Sequence, residues 1–376
     1  MSNTTQTKPL RNSVSFAAIE TYVERNMISP KATATMGGDR YRWGDKDGYP
    51  AYLLDLYDNV ATLRSVIDGC VDFIAGDDVL FNGARDHVIN QGGETAAEVV
   101  RQMGRNAKLY GGFALEVVRN VTGGIAGINC IDLKNLRTNK ANDVFWYSEK
   151  WGKSQPDPVE MPAFIPSLEA KWGSLTDEER NRAVSSILWV KIGDAGVYPA
   201  PPYAAAVKAC EIERNIDDYH LNSLDNGFSA TAVINFNNGI PADQEKDELE
   251  REAREKLTGS ANAGRLLLCW NDNKESATTV VPIKTEDFGD RYEALAKRSR
   301  QAIFTAFRAN PNIFGIPTDS LGFSSEEYES AFKLFNRTQI RPVQRKIADA
   351  FAKIYGNAVL QIVPFTLEGD SETAVN

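Results

Sequence analysis

The chain has 376 residues, of which 42% are hydrophobic and 25% are charged, so it carries enough apolar mass for more than one folded core. This composition excludes wholesale disorder, collagen-like chains and small disulfide scaffolds. The 42 lysines and arginines face 51 aspartates and glutamates, which gives a formal charge of −9. No global basic excess is therefore available for tight, charge-driven binding of DNA.

Neither a membrane segment nor a secretion signal is predicted. The longest uncharged run, Asn226 to Ala242, has 17 residues and is interrupted by glycine and proline, whereas a spanning helix needs about 20 apolar residues. The first thirty residues contain no apolar core followed by a small-residue cleavage site. We therefore expect a protein that is made and kept in a cytoplasm.

The cysteines and histidines indicate no metal site, disulfide framework or cofactor. Cysteines stand far apart at positions 70, 130, 210 and 269, and the chain has only two histidines. We expect the cysteines to be small buried hydrophobic residues in a reducing compartment.

Up to residue 200, apolar spacing and turn residues predict a mixed α and β region. The expected elements are helices Ser15 to Arg25, Tyr52 to Ala75 and Glu94 to Tyr110, and strands Phe113 to Arg119, Ile125 to Leu133, Val144 to Tyr147 and Ser185 to Ile192. Gly111 and Gly112 suit a left-handed end of the third helix. Three prolines between Tyr198 and Tyr203 then predict a boundary, since proline interrupts both ladders and helix interiors.

Beyond that boundary, the pattern predicts two long helices that flank a compact α/β insertion. The expected elements are helix Ala204 to Asn226, strand Ala230 to Phe236, a highly charged helix Pro241 to Lys256, strands Arg265 to Trp270 and Thr278 to Lys284, helix Asp290 to Ala309, a loop Asn312 to Phe323, a helix from Ser324 to Phe351 and strand Ala358 to Phe365. The last helix opens with capping-box spacing, and Pro342 should kink it.

Motifs for catalysis are missing from the sequence. It has no Walker-type loop, nucleophile elbow, paired metal-binding histidines or calcium loop. His220 follows Asp217 and Asp218, so a hydrolase that uses these residues is one hypothesis, and His87 beside Asp86 invites a similar one. A solvated or locally hydrogen-bonded histidine is favoured in both places, because no activated serine or cysteine motif accompanies them.

From residue 198 onward the order of elements predicts a long helix that leads away from the main body, a small folded insertion at its end, and a second long helix that leads back. At this level of organisation the chain, roughly from Tyr52 to Phe365, resembles the portal proteins of tailed bacteriophages. The segments that carry the resemblance are LYGGFALEVVRN (109–120), GGIAGINCIDLKNLRT (123–138), VYPAPPYAAAVKACEIERNIDDYHLNSLDNGFSATAVI (197–234), NAGRLLLCW (262–270), FRANPNIFGIPTDS (307–320) and SSEEYESAFKLFNRTQIRPV (324–343).

The resemblance implies an α+β, portal-like fold with a defined order of parts. These are the N-terminal part of the wing (1–200), stem helix 1 (201–228), the clip (229–285), stem helix 2 (286–310), the tunnel loop (311–323) and a kinked wing helix with the final strand and a short tail (324–376). Only 20 residues follow Gly356, so we expect the crown to be reduced or absent. The proline-rich stretch Val197 to Tyr203 departs from the glycine-containing turn expected there.

The resemblance also implies a function without catalysis. Portal proteins form a ring, typically dodecameric, at one capsid vertex, and double-stranded DNA is packaged and ejected through it. The implied partners are the terminase large subunit, a head-completion or adaptor protein, and the major capsid or scaffolding protein, with the ring in the virion and in the host cytoplasm during assembly. Alternatives are the hydrolase above, another head-tail connector and a nonviral scaffold protein.

Within this interpretation, two groups of residues are candidate contact sites. Lys297 and Arg308 stand eleven residues apart, about three helical turns, so both fall on nearly one side of the second stem helix, with Arg300 close by. These cations are predicted to face the DNA channel together with the tunnel-loop residues Pro317, Thr318, Asp319, Ser320 and Leu321. Ion pairing or plain solvent exposure is the alternative.

The charged clip helix supplies the second group. Glu245, Glu248 and Glu252 flank a narrow apolar stripe and form a candidate surface for basic partner proteins, because complementary charge steers association. Solubility alone would also explain these glutamates.

Overall fold

The computed structural model describes residues 13–15, 28–35, 38–151, 158–193, 196–225, 232–236, 266–270, 286–316, 325–356 and 359–366. The helices are α1 (Tyr49–Asn59), α2 (Ala61–Ala75), α3 (Ala96–Leu109), α4 (Asp177–Ala183), α5 (Val207–Asp225), α6 (Glu286–Ala306), α7 (Ser325–Phe335) and α8 (Arg341–Tyr355). The strands are β1 (Ser13–Ser15), β2 (Ala32–Ala34), β3 (Tyr41–Trp43), β4 (Asp78–Phe81), β5 (Gly112–Arg119), β6 (Ile125–Ile131), β7 (Leu136–Thr138), β8 (Val144–Tyr147), β9 (Val159–Pro162), β10 (Ser185–Lys191), β11 (Ala232–Phe236), β12 (Leu266–Trp270) and β13 (Leu360–Val363). None of these helices combines the length and apolarity that a bilayer crossing requires.

The chain divides into two compact units, with boundaries after residue 26, within α5 and within α6. The smaller unit takes residues 1–26 and 213–296, and the larger takes residues 27–212 and 297–376. In the smaller unit β12 is the central strand of a sheet, antiparallel to β1 and parallel to β11. Ser15, predicted to start a helix, instead ends β1, because its backbone pairs with Leu268 of β12.

The larger unit contains a hydrophobic core in which α2 and α3 pack against each other and α3 packs against the sheet β10–β5–β6. The predicted hairpin is confirmed as the antiparallel pair β5 and β6. At the start of α3, Thr95 accepts a hydrogen bond from the Glu98 amide, and Glu98 accepts one from the Thr95 amide in return. This reciprocal cap satisfies two amides that the first turn of a helix otherwise leaves unpaired.

Gly111 lets the chain turn directly from α3 into β5. Its φ of +88° lies in the left-handed region, and a Cβ atom there would meet the Ala200 carbonyl oxygen at 1.9 Å. Only glycine fits both the conformation and this close approach. The sequence prediction of a glycine-based helix end is therefore confirmed.

A single helix was expected over residues 52–75, but the structure divides it at Val60. Val60 has extended torsions, φ −117° and ψ 104°, and separates α1 from α2. Just before the break, the Asn59 side chain donates to the Asp55 carbonyl at 2.8 Å, a local bond that competes with continuation of the helix. Leu56 and Leu63 are buried on either side, so both helices still serve the core.

A buried ion pair joins the N-terminal hairpin β2–β3 to the rest of the larger unit. The Asp47 carboxylate accepts from the Trp43 amide at 2.8 Å and from Nε of Arg137, whose side chain is 1% exposed. Arg137 also donates to the Lys134 and Leu136 carbonyls, each at 2.8 Å. Because the guanidinium is so fully hydrogen-bonded, its burial is tolerated.

Phe73 of α2 is the centre of an aromatic cluster that ties distant parts of the chain together. Its ring lies 5.8 Å from Phe314, 5.4 Å from Phe332, 6.2 Å from Phe335 and 5.2 Å from Phe365, all edge-on. Edge-to-face contacts at these distances add to the burial of apolar area. These four phenylalanines from the C-terminal part of the larger unit are thus packed onto α2.

Near Pro342, where a kink was predicted, a π-helical turn, Asn336–Ile340, interrupts the α-helix between α7 and α8. Pro342 lies in the first turn of α8, where its missing N–H costs nothing to the new helix. The buried Lys108 of α3 donates from Nζ to the Gln339 carbonyl of the π turn at 2.9 Å. The interruption therefore has a side-chain partner from another helix.

One helix was not predicted, and three predictions lie outside the described residues. Helix α4 was not predicted, although Thr176 and Glu179 form a capping box at its start. The expected clip helix Pro241 to Lys256 and strand Thr278 to Lys284 lie outside the described residues, as does the proposed cap residue Ser324.

Candidate functional site

The predicted channel residues of α6 lie on the surface of the helix. Lys297 and Arg300 are exposed, whereas Ile303 and Phe307 are buried in the core of the larger unit. Phe304, four residues after Arg300 and seven after Lys297, is buried as well, so the two exposed cations border the apolar face of the helix.

Arg308 lies beyond the helix rather than in its last turn. The helix ends at Ala306, three residues earlier than predicted, and Arg308 has a left-handed φ of +52°. Asn310 is extended because it precedes Pro311, which disfavours helical torsions in the residue before it. The side chain of Arg308 is exposed, but the argument that placed it three full turns from Lys297 does not hold.

Sequence reasoning missed Arg298, which lines a groove of about 350 Å³ within the larger unit. Its other lining residues are Ala205, Ala206, Gln301, Ala302, Thr305 and Ala306. Arg298, Gln301 and Thr305 follow the three- and four-residue spacing of one helix face, which is the signal that could have identified them.

A second set of missed cations lies on the long C-terminal segment. Arg337 in the π turn and Arg341 and Arg345 in α8 are exposed and recur every four residues. Val343 and Ile347 of α8 are buried. Sequence reasoning treated this segment as a kinked wing helix and gave its charged face no role.

The histidines named in the hydrolase hypothesis have aromatic neighbours. His87 stacks on Phe81 with ring centroids 4.8 Å apart, and both line a pocket of about 270 Å³ with Tyr355. His220 is exposed, and its ring meets Tyr292 edge-on with centroids 6.0 Å apart. Asp217 is one helical turn before His220, whereas Asp218, two residues away, points to a different side of the helix.

Three of the cysteines are free thiols that are fully or partly buried. Cys70, Cys130 and Cys210 form no disulfide, and burial raises the pKa of the Cys70 thiol to about 11, so it stays protonated at neutral pH. Across the described part of the chain, no three histidine, cysteine, aspartate or glutamate side chains are grouped to hold a metal ion. Two predicted sets, Pro317 to Leu321 and Glu245, Glu248 and Glu252, lie outside the described residues.

Comparison with known proteins gives a family and a fold. A family model described as "Phage portal protein" matches residues 89–367. An uncharacterized protein of Rickettsia bellii (strain RML369-C) is 26% identical over 173 residues, which cover 46% of this chain and 43% of the relative. The chain thus matches less than half the length of that relative.

Two solved structures of particle necks share the fold. The neck of an empty GTA particle, computed with C6 symmetry, has a TM-score of 0.52 at 17% identity. The alignment covers 86% of this chain and 85% of that chain. The neck of a native GTA particle, computed with C12 symmetry, has a TM-score of 0.51 at 16% identity, with 86% of both chains covered. These matches confirm the α+β, portal-like fold class predicted from the sequence. Since the family model spans well over half of the chain, the protein belongs to the phage portal protein family.

Proposed function

We propose that the protein forms a ring at one vertex of a viral capsid, through which double-stranded DNA is packaged and later ejected. The family match over residues 89–367 is the observation that carries this function. The C12 symmetry of the solved GTA neck supports twelve subunits as the ring size. The role is structural and needs no catalysis.

The parts of the ring follow the order proposed from the sequence. Residues 1–200 and 324–376 form the wing, 201–228 and 286–310 the stem helices, 229–285 the clip and 311–323 the tunnel loop. The division of the chain within α5 and within α6 supports a clip unit distinct from the wing, and β1 joins the sheet of that unit rather than the wing.

The channel is lined in part by Lys297, Arg300 and Arg308 with the tunnel-loop residues 317–321. Their exposure supports this role for the three cations. A conduit must pass a polyanion without holding it, and each cation that neutralises a phosphate adds salt-sensitive affinity. A few cations on a subunit with a net charge of −9 satisfy both needs.

Charge reversal tests the channel assignment. The variant K297E/R308E should form rings but package less DNA, whereas the control K31E/K171E, which changes two exposed lysines of the wing by the same charge, should package normally. Unchanged packaging by K297E/R308E would contradict the channel role.

The clip docks basic surfaces of the terminase large subunit during packaging and of a head-completion or adaptor protein afterwards. Glu245, Glu248 and Glu252 are the residues proposed for this contact, since opposite charge accelerates association. Charge reversal at the three positions should weaken terminase binding, most of all at low salt. Binding that is unaltered at low salt would refute the assignment.

The wing contacts the major capsid or scaffolding protein, so the ring is located in the virion and, during assembly, in the host cytoplasm. Electron microscopy of the purified protein tests the function as a whole. Rings with an axial hole and twelvefold averages are the expected result. A protein that stays monomeric at all concentrations, alone and with its scaffolding protein, would overturn the proposal.

A further inference from the structure

We infer that the exposed arginine stripe Arg337, Arg341 and Arg345 is a second contact for DNA phosphates, distinct from the channel residues of α6. This inference rests on the proposed function, because that function brings DNA to the ring. The stripe belongs to the π turn and to α8, and its three side chains are exposed.

The stripe is the outer face of the C-terminal helical segment. In α8 the buried residues Val343, Ile347, Ala350 and Ile354 define the inner face. Arg341 and Arg345 lie about half a turn away from the centre of that face at 3.6 residues per turn. Their guanidinium groups therefore point away from the core to which α8 is anchored.

The π turn keeps Arg337 in line with the other two arginines. In a regular α-helix, four residues make slightly more than one turn, so a four-residue repeat drifts steadily around the axis. Hydrogen bonds in a π turn span five residues, so four residues there make slightly less than one turn and the drift reverses. The step from Arg337 to Arg341 crosses the π turn, and this reversal holds the stripe on one side.

The three arginines are available for a ligand. Throughout the described chain, no carboxylate forms an ion pair with any of them. The exposed Asp349 lies one turn beyond Arg345 without pairing with it, whereas Lys333, one turn before Arg337, pairs with Glu329 at 3.4 Å. The stripe is thus a local concentration of unneutralised positive charge on a protein of net charge −9.

The phosphate backbone of DNA fits this surface better than an acidic protein does. Guanidinium groups bind phosphate oxygens through paired hydrogen bonds. Arg341 and Arg345 are separated by about 6 Å along the helix axis, and alternate phosphates of one strand are separated by about 6.8 Å along the duplex. A row of arginines at this spacing follows one strand and reads no base sequence.

The salt dependence of DNA binding tests the stripe directly. Affinity for a 30-base-pair duplex of arbitrary sequence is measured by fluorescence anisotropy over a series of NaCl concentrations. Loss of three phosphate contacts in R337Q/R341Q/R345Q should flatten the slope of log K against log [NaCl] by about 2.7. The matched control R64Q/R101Q/R182Q removes the same charge from three exposed arginines that already pair with carboxylates, and it should keep the wild-type slope.

Two outcomes overturn the inference. One is an unchanged slope of log K against log [NaCl] in R337Q/R341Q/R345Q. If the same variant loses affinity for polyglutamate, used as a model of an acidic protein, the stripe faces an acidic protein instead of DNA. The other is an equal flattening in the control, which would assign the effect to net charge. Rings are counted by electron microscopy in the same samples. If rings form and the slope is unchanged, only the DNA-binding role of the stripe is contradicted. If the slope flattens but no rings form, only the proposed function is contradicted.

Discussion

Replacement of Lys108 tests how the junction between α7 and α8 is held. The buried ammonium donates to the Gln339 carbonyl at 2.9 Å, and burial lowers the pKa of Lys108. A hydrogen bond from a charged donor contributes about 1.5–3 kcal/mol, which corresponds to roughly a 10- to 100-fold change in a local opening equilibrium. In K108M the amides of Asn336 to Arg341 should therefore exchange with solvent roughly 10- to 100-fold faster.

The free energies of unfolding of K108M and K108A should separate the contribution of the hydrogen bond of Lys108 from that of its side-chain packing. K108M loses the bond but is also relieved of a buried charge, and these two terms are of similar size, so its free energy of unfolding should stay within about 1 kcal/mol of the wild type. K108A leaves a cavity as well and should be about 3 kcal/mol less stable than K108M. Urea unfolding followed by tryptophan fluorescence measures both differences.

The pH dependence gives an independent check. Because burial lowers the pKa of Lys108 in the folded protein, the unfolded chain binds one more proton between that value and the ordinary lysine pKa of about 10.4. Wild-type stability relative to K108M should therefore rise with pH in that window and stay constant below it. The reasoning would be refuted if K108M kept wild-type exchange rates across Asn336 to Arg341 and if the difference in free energy of unfolding between the two proteins did not depend on pH.

Three smaller changes test other features of the larger unit. R137M leaves the buried Asp47 carboxylate with Arg40, 3.4 Å away, as its remaining cation and should cost about 3 kcal/mol in urea unfolding; a loss under about 1 kcal/mol would mean that Arg40 alone is enough to neutralise the carboxylate. G111A places a Cβ 1.9 Å from the Ala200 carbonyl oxygen and should cost about 3 kcal/mol by the same assay, so wild-type stability would contradict the close approach. T95A removes the cap of α3 and should cost about 1 kcal/mol by thermal unfolding, with no change if the cap contributes nothing.

Local patterns in the sequence predicted the elements of the larger unit well where turn residues marked their ends. Gly111 gave the end of α3 and the start of β5, and the apolar alternation on either side of the turn Asn120 to Gly124 gave the hairpin. The break at Val60 was not predictable, because neither glycine nor proline marks it and the apolar period continues across it. Only the local bond of Asn59 hints at the interruption.

The candidate site residues could be predicted from the sequence less well than the helices and strands. Lys297 and Arg300 could be recognised as exposed residues from helical spacing, but Arg308 could not be placed, because the helix ends at Ala306, before the Asn310 and Pro311 that mark its end in the sequence. Pro342 predicted an irregularity in the C-terminal helix without its type. The π turn that aligns the arginine stripe is supported by Lys108, which is 231 residues away in the chain from Gln339, and no local pattern reports such a contact.

The aromatic cluster around Phe73 has a consequence for biosynthesis. Phe73 leaves the ribosome long before Phe332 and Phe365, and the 84 residues from Glu213 to Ala296 belong to the other unit. At 5–20 residues per second, translation of that insertion alone takes roughly 4 to 17 s. Throughout this interval the nascent chain exposes an apolar face of α2 that lacks its packing partners. Chaperone protection during synthesis should therefore matter more for this protein than for one whose core is formed by residues that are contiguous in sequence.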